Sequence, residues 1–169
     1  WSLVNGQDDL VWHKASRQSD GSYRVTIKAS EHKNSLGNYR ADLYIVDNAN
    51  QRHYVTETIV DVKHNKPVGT ISVVNNNKDT GTFDVIISDV YSPKGVRTVQ
   101  VPIWSEKDGQ DDIRWYEATR QANGTYTVNV QATNHKNSTG LYNIHLYYIL
   151  NDGSQVGVGG TTTTLEFRN

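Results

Sequence analysis

The stretch Asn134-His135-Lys136-Asn137-Ser138-Thr139-Gly140-Leu141-Tyr142 decides the architecture of this chain, because it occurs twice. The earlier copy reads Glu31-His32-Lys33-Asn34-Ser35-Leu36-Gly37-Asn38-Tyr39 and lies 103 residues upstream (135 − 32 = 103). The same offset places residues 1–44 on residues 104–147 without a gap, and half of the aligned positions are identical. A match of this length indicates an internal repeat. The chain therefore contains one complete copy of a unit and part of another.

The composition limits the class of protein. The 169-residue chain has 17 lysines and arginines against 18 acidic residues, so its formal net charge is -1. This balance gives no electrostatic reason to expect binding to nucleic acid or to an anionic membrane. The absence of cysteine excludes disulfides, cysteine-based zinc sites and a thiol nucleophile. Methionine is absent too, so we expect the sequence to be part of a longer chain, and no apolar run approaches the ~20 residues of a membrane helix.

The complete unit has the pattern of an all-β domain. Its cleanest strand turns Tyr126, Val128 and Val130 inward and the polar residues between them outward. We predict seven strands, with a bulge or kink in the last one at residues 157–160. They are expected at residues 70–75, 83–88, 96–104, 113–117, 126–132, 142–148 and 154–167. Short strands separated by turn signals indicate an antiparallel β-sandwich, so the predicted fold is all-β, with tandem immunoglobulin-like modules.

The repeat also predicts where the chain divides. The stretch Lys66-Pro67-Val68-Gly69 is the one plausible joint, which gives a first module at residues 1–65 and a second at residues 66–169. The first module lacks counterparts of residues 70–103. Half of a sandwich cannot bury both of its sheets. We therefore expect residues 1–63 either to continue a domain that starts earlier or to borrow strands from a neighbouring chain.

The repeated His-Lys-Asn-Ser-x-Gly-x-Tyr turn has two interpretations. As a structural turn, its Asn and Ser side chains satisfy the turn backbone, its glycine adopts a left-handed conformation, and Tyr39 and Tyr142 form tyrosine corners. This interpretation is favoured for those four residue types. As a ligand-binding loop, the turn offers histidine and lysine donors to a carboxylate or an amide. Both interpretations stay open for the histidines and lysines of the two turns, which are His32, Lys33, His135 and Lys136.

The adjacent carboxylates Asp8-Asp9 and Asp111-Asp112 favour a structural cap over a calcium site. Calcium needs six or more oxygen ligands, and the spaced acidic pattern of known calcium loops is missing. The sequence also lacks a His-Glu-x-x-His motif, a Gly-x-Ser-x-Gly motif and a phosphate-binding glycine loop. We therefore expect no catalytic residues, no metal ligands and no cofactor.

The aromatic residues supply the candidate binding surface. Trp12 and Trp115 are in phase with apolar neighbours and are predicted to lie in the core. Trp1 and Trp104 lie next to polar turns, so burial and exposure are both open for them. An exposed aromatic ring suits a sugar face, and an arginine can form a bidentate contact with a carboxylate, unless another sheet edge or module covers these side chains. The outward phase falls on His13, Arg17, Tyr44, Tyr116, Arg120 and Tyr147.

The pattern Ile103-Trp104-Ser105, Gly109-Gln110-Asp111-Asp112-Ile113-Arg114-Trp115-Tyr116, Gly124-Thr125-Tyr126 and His135-Lys136-Asn137-Ser138 through His145 resembles the group B streptococcal Bsp-like repeat. The resemblance covers nearly the whole chain. It implies tandem modules in secreted cell-wall proteins of streptococci and their relatives, joined to peptidoglycan hydrolase domains of muramidase-type or peptidase-type autolysins. It implies no set of ligand-binding residues.

These observations together predict a secreted, cell-wall-associated module without enzymatic activity of its own. Its expected partners are peptidoglycan or another cell-wall glycopolymer and a linked catalytic domain in the same polypeptide. One alternative is an adhesin-type module that binds a host protein or glycan, and another is a passive stalk. A glycosidase is the alternative with the least support.

Overall fold

A computed structural model of the protein describes residues 1–4, 6–107 and 109–166. The chain divides into two compact units, Trp1–Lys63 and His64–Asn169. None of the helices in the described residues has the length and apolar character needed to cross a bilayer.

The first unit contains two short antiparallel sheets of two strands each. Single 3₁₀ turns at Gly6–Asp9 and Ala29–Glu31 precede them or connect them. The strands are β1 (Ser16–Arg17), β2 (Tyr23–Arg24), β3 (Gly37–Val46) and β4 (Arg52–Val62), and β1 pairs with β2 while β3 pairs with β4.

The second unit is an antiparallel sandwich of two four-stranded sheets, as predicted. Its 3₁₀ turns are Gly109–Asp112 and Ala132–His135. The sheet orders are β5-β6-β10-β9 and β12-β11-β7-β8. The strands are β5 (Val68–Asn77), β6 (Thr82–Tyr91), β7 (Val96–Ser105), β8 (Arg114–Glu117), β9 (Thr119–Arg120), β10 (Tyr126–Gln131), β11 (Gly140–Leu150) and β12 (Gln155–Leu165).

The seven predicted strands of this unit are confirmed within the described residues, and the short β9 is an addition. The predicted end of the last strand, Phe167, lies outside the described residues. A tight hairpin at Ala122-Asn123-Gly124-Thr125 joins β9 to β10, with Gly124 at a φ of 85°. The expected irregularity of the last strand is a bulge, because Leu146 pairs with Gly159 while Tyr147 pairs with Gly157. That register leaves one extra residue in β12, and such a bulge changes the direction in which the neighbouring side chains of the strand point.

The core of the second unit lies between the two sheets. Phe83 on β6 meets Tyr142 on β11 edge-on, with ring centroids 5.4 Å apart. Fully burying one large apolar side chain stabilises the fold by about 1.5–3 kcal/mol. The two sheets contribute alternate residues to this layer: Phe83, Val85, Ile87, Val128 and Val130 from one, and Val99, Val101, Ile103, Ile144, Leu146 and Tyr148 from the other.

Among the described residues of the first unit, the two sheets form no such layer. Val25, Ile27 and Leu43 correspond through the 103-residue offset to the core residues Val128, Val130 and Leu146. The first three are exposed, whereas their counterparts are buried. The apolar pattern is therefore present in both copies, but within the described part of the chain these positions are buried only in the second copy.

Candidate functional site: an aromatic face on the outside of one sheet

The pairing of β7 with β8 sets which aromatic side chains point outward. Val101 pairs with Tyr116, and Pro102 pairs with Trp115. Cross-strand partners lie on the same side of a sheet. Since Val101 is fully buried in the core, Tyr116 faces inward and Trp115 faces outward, where half of it is exposed. The predictions that Trp115 lies in the core and that Tyr116 points outward are therefore both wrong, because the phase of β8 differs by one residue from the predicted one.

Trp12, the counterpart of Trp115, is also exposed, to 57%, so its predicted core position is wrong as well. Each tryptophan instead contacts a tyrosine. The ring centroids of Trp115 and Tyr147 are 5.2 Å apart at an interplanar angle of 58°, and those of Trp12 and Tyr44 have the same distance and angle. Both copies of the repeat thus build the same outward Trp–Tyr pair.

A second ring pair continues the surface along β11. His145 and Tyr147 lie two residues apart, and hence on one face of the strand. The His145 ring meets the Trp104 ring edge-on, with centroids 4.8 Å apart. This contact leaves Trp104 only 8% exposed, while its counterpart Trp1 is half-buried, with the Arg40 guanidinium 5.4 Å from its ring centroid.

Glycines in β12 make room for two of these rings. A Cβ at Gly157 would lie 3.3 Å from the Tyr147 ring, and one at Gly160 would lie 2.8 Å from the His145 ring. The rings therefore lie against strand backbone that carries no side chains. We call the resulting surface of the second unit the aromatic face; it comprises Trp104, Trp115, His145, Tyr147, Gly157 and Gly160.

The first unit surrounds its Trp–Tyr pair differently. The Tyr54 ring packs on the edge of Tyr44, with centroids 5.6 Å apart, and the Arg52 guanidinium lies 4.3 Å from the Trp12 ring centroid. A guanidinium over an indole face is a favourable cation–π contact. Planar rings offer stacking surfaces to the C–H faces of sugars, and the arginine adds donors for a carboxylate.

The repeated acidic pairs have the structural role that the sequence favours. Asp112 accepts hydrogen bonds from the backbone N–H of Ser105 at 3.0 Å and from its hydroxyl at 2.6 Å. Asp9 accepts the same two bonds from Ser2. The hydroxyl bond from Ser2 holds the pKa of the Asp9 carboxyl below its ordinary value. These carboxylates cap strand ends, as predicted.

Hydrogen bonds to two backbone carbonyl groups hold the His-Lys-Asn-Ser turn in place. Nδ1–H of His135 donates to the carbonyl oxygen of Asp112 at 3.1 Å, and the Tyr142 hydroxyl donates to the carbonyl oxygen of Ser138 at 2.7 Å. His32 and Tyr39 make the matching bonds in the first unit. The predicted tyrosine corners are confirmed.

Burial also determines what the turn histidines can contact. Burial raises the pKa of Tyr142 to about 12 and lowers the pKa of His135 below its ordinary value. Both turn histidines have exposed fractions of 1% or less. A glycan at the surface therefore cannot stack on the imidazole of His32 or His135.

The other predicted binding residues do not join the aromatic face. Tyr116 is half-buried, and its hydroxyl donates to Nε2 of His135 at 2.8 Å. Arg120 lies on β9 in the opposite sheet, and its counterpart Arg17 is exposed on β1. Lys136 is exposed and ion-paired with Asp111. Its counterpart Lys33 is exposed, and His13 faces Glu31.

Of the predicted residues, the structure therefore brings together Tyr147 and Trp104 in the second unit. It adds Trp115 and His145, which sequence reasoning missed. No signal in the sequence could have found Trp115, because only the register of β8 against Val101 shows which of Trp115 and Tyr116 points inward.

Comparisons with known proteins identify a repeat family and a solved structure with a similar fold. The GBS Bsp-like repeat model matches residues 1–60 and 72–163, which confirms the family resemblance. A polysaccharide deacetylase from Bacillus cereus is similar in structure, with a TM-score of 0.50 and 18% identity over 57% of this chain. This chain spans only 30% of the deacetylase, and the likeness concerns the fold alone. The rat CD45 extracellular region, domains d3–d4, gives a TM-score of 0.37 and 9% identity, covering 91% of this chain and 75% of that one. A search of curated proteins finds no match.

Proposed function

The chain belongs to the GBS Bsp-like repeat family, and from this premise we propose that it is a binding module without catalytic activity in a secreted cell-wall protein. Its ligand is peptidoglycan or another wall glycopolymer, and its task is to hold a linked hydrolase domain against the wall. The observation that carries the proposal is the outward Trp–Tyr pair, which both copies build with one geometry.

The exposure of these rings supports a binding role. Aromatic side chains bury 150–250 Å² each when covered, so leaving Trp115 half exposed forgoes a large stabilising term. A cluster of exposed apolar rings on a folded domain marks an interaction surface. The aromatic face offers ring planes and glycine backbone, and the net charge of the chain is close to zero. These features suit a neutral glycan strand better than a polyanion.

The strongest competing function is an adhesin-type module, because the same aromatic face fits a host glycan. Both functions place the ligand on one surface and differ in the source of the sugar. A passive stalk, by contrast, requires no exposed Trp–Tyr pair in either copy.

The test is co-sedimentation of the full chain with purified sacculi. We expect the wild-type chain to be retained, and a variant with Trp12→Ala, Tyr44→Ala, Trp115→Ala and Tyr147→Ala to bind at least about tenfold more weakly, since exposed aromatic anchors dominate such interfaces. Because these side chains are partly exposed, circular dichroism of the variant should still show the wild-type fold.

The matched control is Arg17→Ala with Arg120→Ala, which removes the exposed cations that do not belong to the aromatic face. It should bind as the wild type does. Retention no greater than that of an unrelated sandwich of equal charge, or undiminished binding by the fourfold aromatic variant, would refute the proposal. Binding to a host glycan array with no retention on sacculi would favour the adhesin.

A further inference from the structure

One cluster in the first unit combines two imidazoles and a carboxylate. The ligand atoms of His13, Glu31 and His32 all lie within 4.8 Å of one another, and Nε2 of His13 is 3.7 Å from Oε2 of Glu31. Among the residues that the structure describes, two buried side-chain nitrogens lack a hydrogen-bond partner. They are Nε2 of His13 and Nε2 of His32, and both belong to this cluster.

The tautomer of His32 is set by its other nitrogen. Nδ1–H of His32 donates to the carbonyl oxygen of Asp9 at 2.8 Å, so Nε2 carries the lone pair. The ring is 1% exposed and is also held edge-on by Tyr39, with centroids 5.3 Å apart. A metal-binding histidine characteristically donates its second ring N–H to a backbone carbonyl or carboxylate, which fixes the ring and its tautomer.

The second unit shows what this site looks like without free ligand atoms. His135 makes the same Nδ1 bond to Asp112, but its Nε2 accepts a hydrogen bond from the Tyr116 hydroxyl at 2.8 Å. Through the 103-residue offset, Tyr116 corresponds to His13 and Asn134 corresponds to Glu31. Around Nε2 of the buried turn histidine, the first copy therefore has an imidazole where the second has a hydroxyl donor, and a carboxylate where the second has an amide.

We propose that His13, Glu31 and His32 form a binding site for a divalent transition-metal ion of the Zn²⁺ class. The two Nε2 atoms and one carboxylate oxygen are the ligands, and water completes the coordination. Two imidazoles with one carboxylate suit zinc and its neighbours in the first transition row, whereas calcium and magnesium take all-oxygen sites. This inference does not depend on the proposed wall binding.

Zinc binding requires the three ligand atoms, which lie within 4.8 Å of one another, to move closer together. Ligand atoms about 2.0–2.1 Å from a tetrahedral zinc ion lie about 3.3 Å from one another. The 3.7 Å separation between His13 and Glu31 is already close to that value. The Glu31 side chain is exposed, so an ion can enter past its carboxylate, while the buried His32 is the fixed ligand.

The test is isothermal titration calorimetry of the full chain with Zn²⁺, and it uses the repeat as its own control. We expect one micromolar or tighter site in the wild type. The variant His13→Tyr with Glu31→Asn gives the first copy the residues of the second, which should restore the Tyr–His hydrogen bond. Its affinity for Zn²⁺ should fall more than about 100-fold, since even indirect ligand partners contribute 10–100-fold.

The reciprocal variant, Tyr116→His with Asn134→Glu, gives the second copy the residues of the first and should raise the stoichiometry to two. His53→Ala removes a histidine that pairs with Asp47 on an exposed hairpin, and it should leave the stoichiometry at one. Glu31→Gln alone, at an exposed position, should weaken binding more than tenfold, and it tests the proposal even if the double variant fails to fold.

Titration with Co²⁺ provides a second readout, because the visible ligand-field spectrum reports the coordination of the bound ion. A tetrahedral spectrum in the wild type that disappears in the His13→Tyr, Glu31→Asn variant supports the site. Absence of micromolar Zn²⁺ binding by the wild type, or equal affinity in the wild type and in either first-copy variant, would overturn it.

Discussion

The two copies of the repeat share their local hydrogen bonds but differ in the burial of their apolar residues. Nδ1 of the turn histidine lies 2.8 Å from the aspartate carbonyl in the first copy and 3.1 Å in the second. In contrast, Leu43 is 50% exposed while its counterpart Leu146 is fully buried. The turn network needs only residues within one part of the repeat, whereas the core also needs the strands β5, β6 and most of β7, which have no counterpart in the first copy.

The largest expected difference concerns independent folding. A fragment of residues 64–169 should unfold in one cooperative transition in urea, because it contains both sheets and the core between them. A fragment of residues 1–63 should show no cooperative transition as a monomer, because its apolar face stays in water. Circular dichroism with analytical ultracentrifugation measures both. A cooperative, monomeric 1–63 fragment would show that the shared turn network alone suffices for folding.

Matched core truncations sharpen the comparison residue by residue. Leu146→Ala should lower the free energy of unfolding of the second unit by about 3 kcal/mol, through lost burial and the cavity that remains. Leu43→Ala in the first unit should change stability by less than about 0.5 kcal/mol, since the side chain is half exposed. Urea denaturation of the full chain checks both values. Equal losses would mean that the first copy buries this leucine in solution.

A smaller effect is expected from the capping carboxylate. Asp112→Ala leaves the buried N–H and hydroxyl of Ser105 without their acceptor and should cost about 2 kcal/mol. Asp111→Ala removes only an exposed ion pair with Lys136 and should cost less than about 1 kcal/mol. The difference in denaturation midpoint between these neighbouring variants measures the capping contribution. Similar midpoints would argue against a structural role for Asp112.

The smallest effect is a pH dependence at the buried histidine of the complete copy. Burial lowers the pKa of His135 below its ordinary value of 6.5, and the nearby Asp112 opposes this shift only partly. Above pH 6.5 the imidazole is neutral in both the folded and unfolded states, so its contribution to stability is full. Below pH 6.5 the unfolded chain takes up the proton first, so the free energy of unfolding falls until the pH passes the folded-state pKa.

His135→Gln should therefore flatten the decline in stability of the second unit between pH 6.5 and more acidic values. His64→Gln, which removes an exposed histidine, is the matched control. Thermal unfolding over this pH range provides the measurement. An unchanged slope in His135→Gln would assign the acid sensitivity to other groups.

The sequence predicts the fold well because the repeat and the alternation of apolar residues are local signals. The strand containing Tyr126, Val128 and Val130 follows directly from its period of two. The roles of Asp112 and Tyr142 also follow, since each bonds within a few residues of its turn or strand end.

The candidate site is less predictable because it depends on pairing between strands. In the short β8, the sequence alone does not decide whether Trp115 or Tyr116 faces the core, and only the register with Val101 settles it. The site of His13 and Glu31 depends on their approach to His32 in space. The offset comparison with Tyr116 and Asn134 is the signal that points to it.

The most direct test of the aromatic face is an NMR titration of the full chain with solubilised wall glycan strands, observing the four tryptophan indole N–H signals. Trp12 and Trp115 are exposed, whereas Trp104 is 8% exposed beneath His145. We predict that the Trp12 and Trp115 signals shift saturably with glycan. The Trp1 signal should stay in place, because Trp1 is half-buried against Arg40 and belongs to neither Trp–Tyr pair. Saturable binding that leaves both exposed tryptophans unshifted would contradict the account.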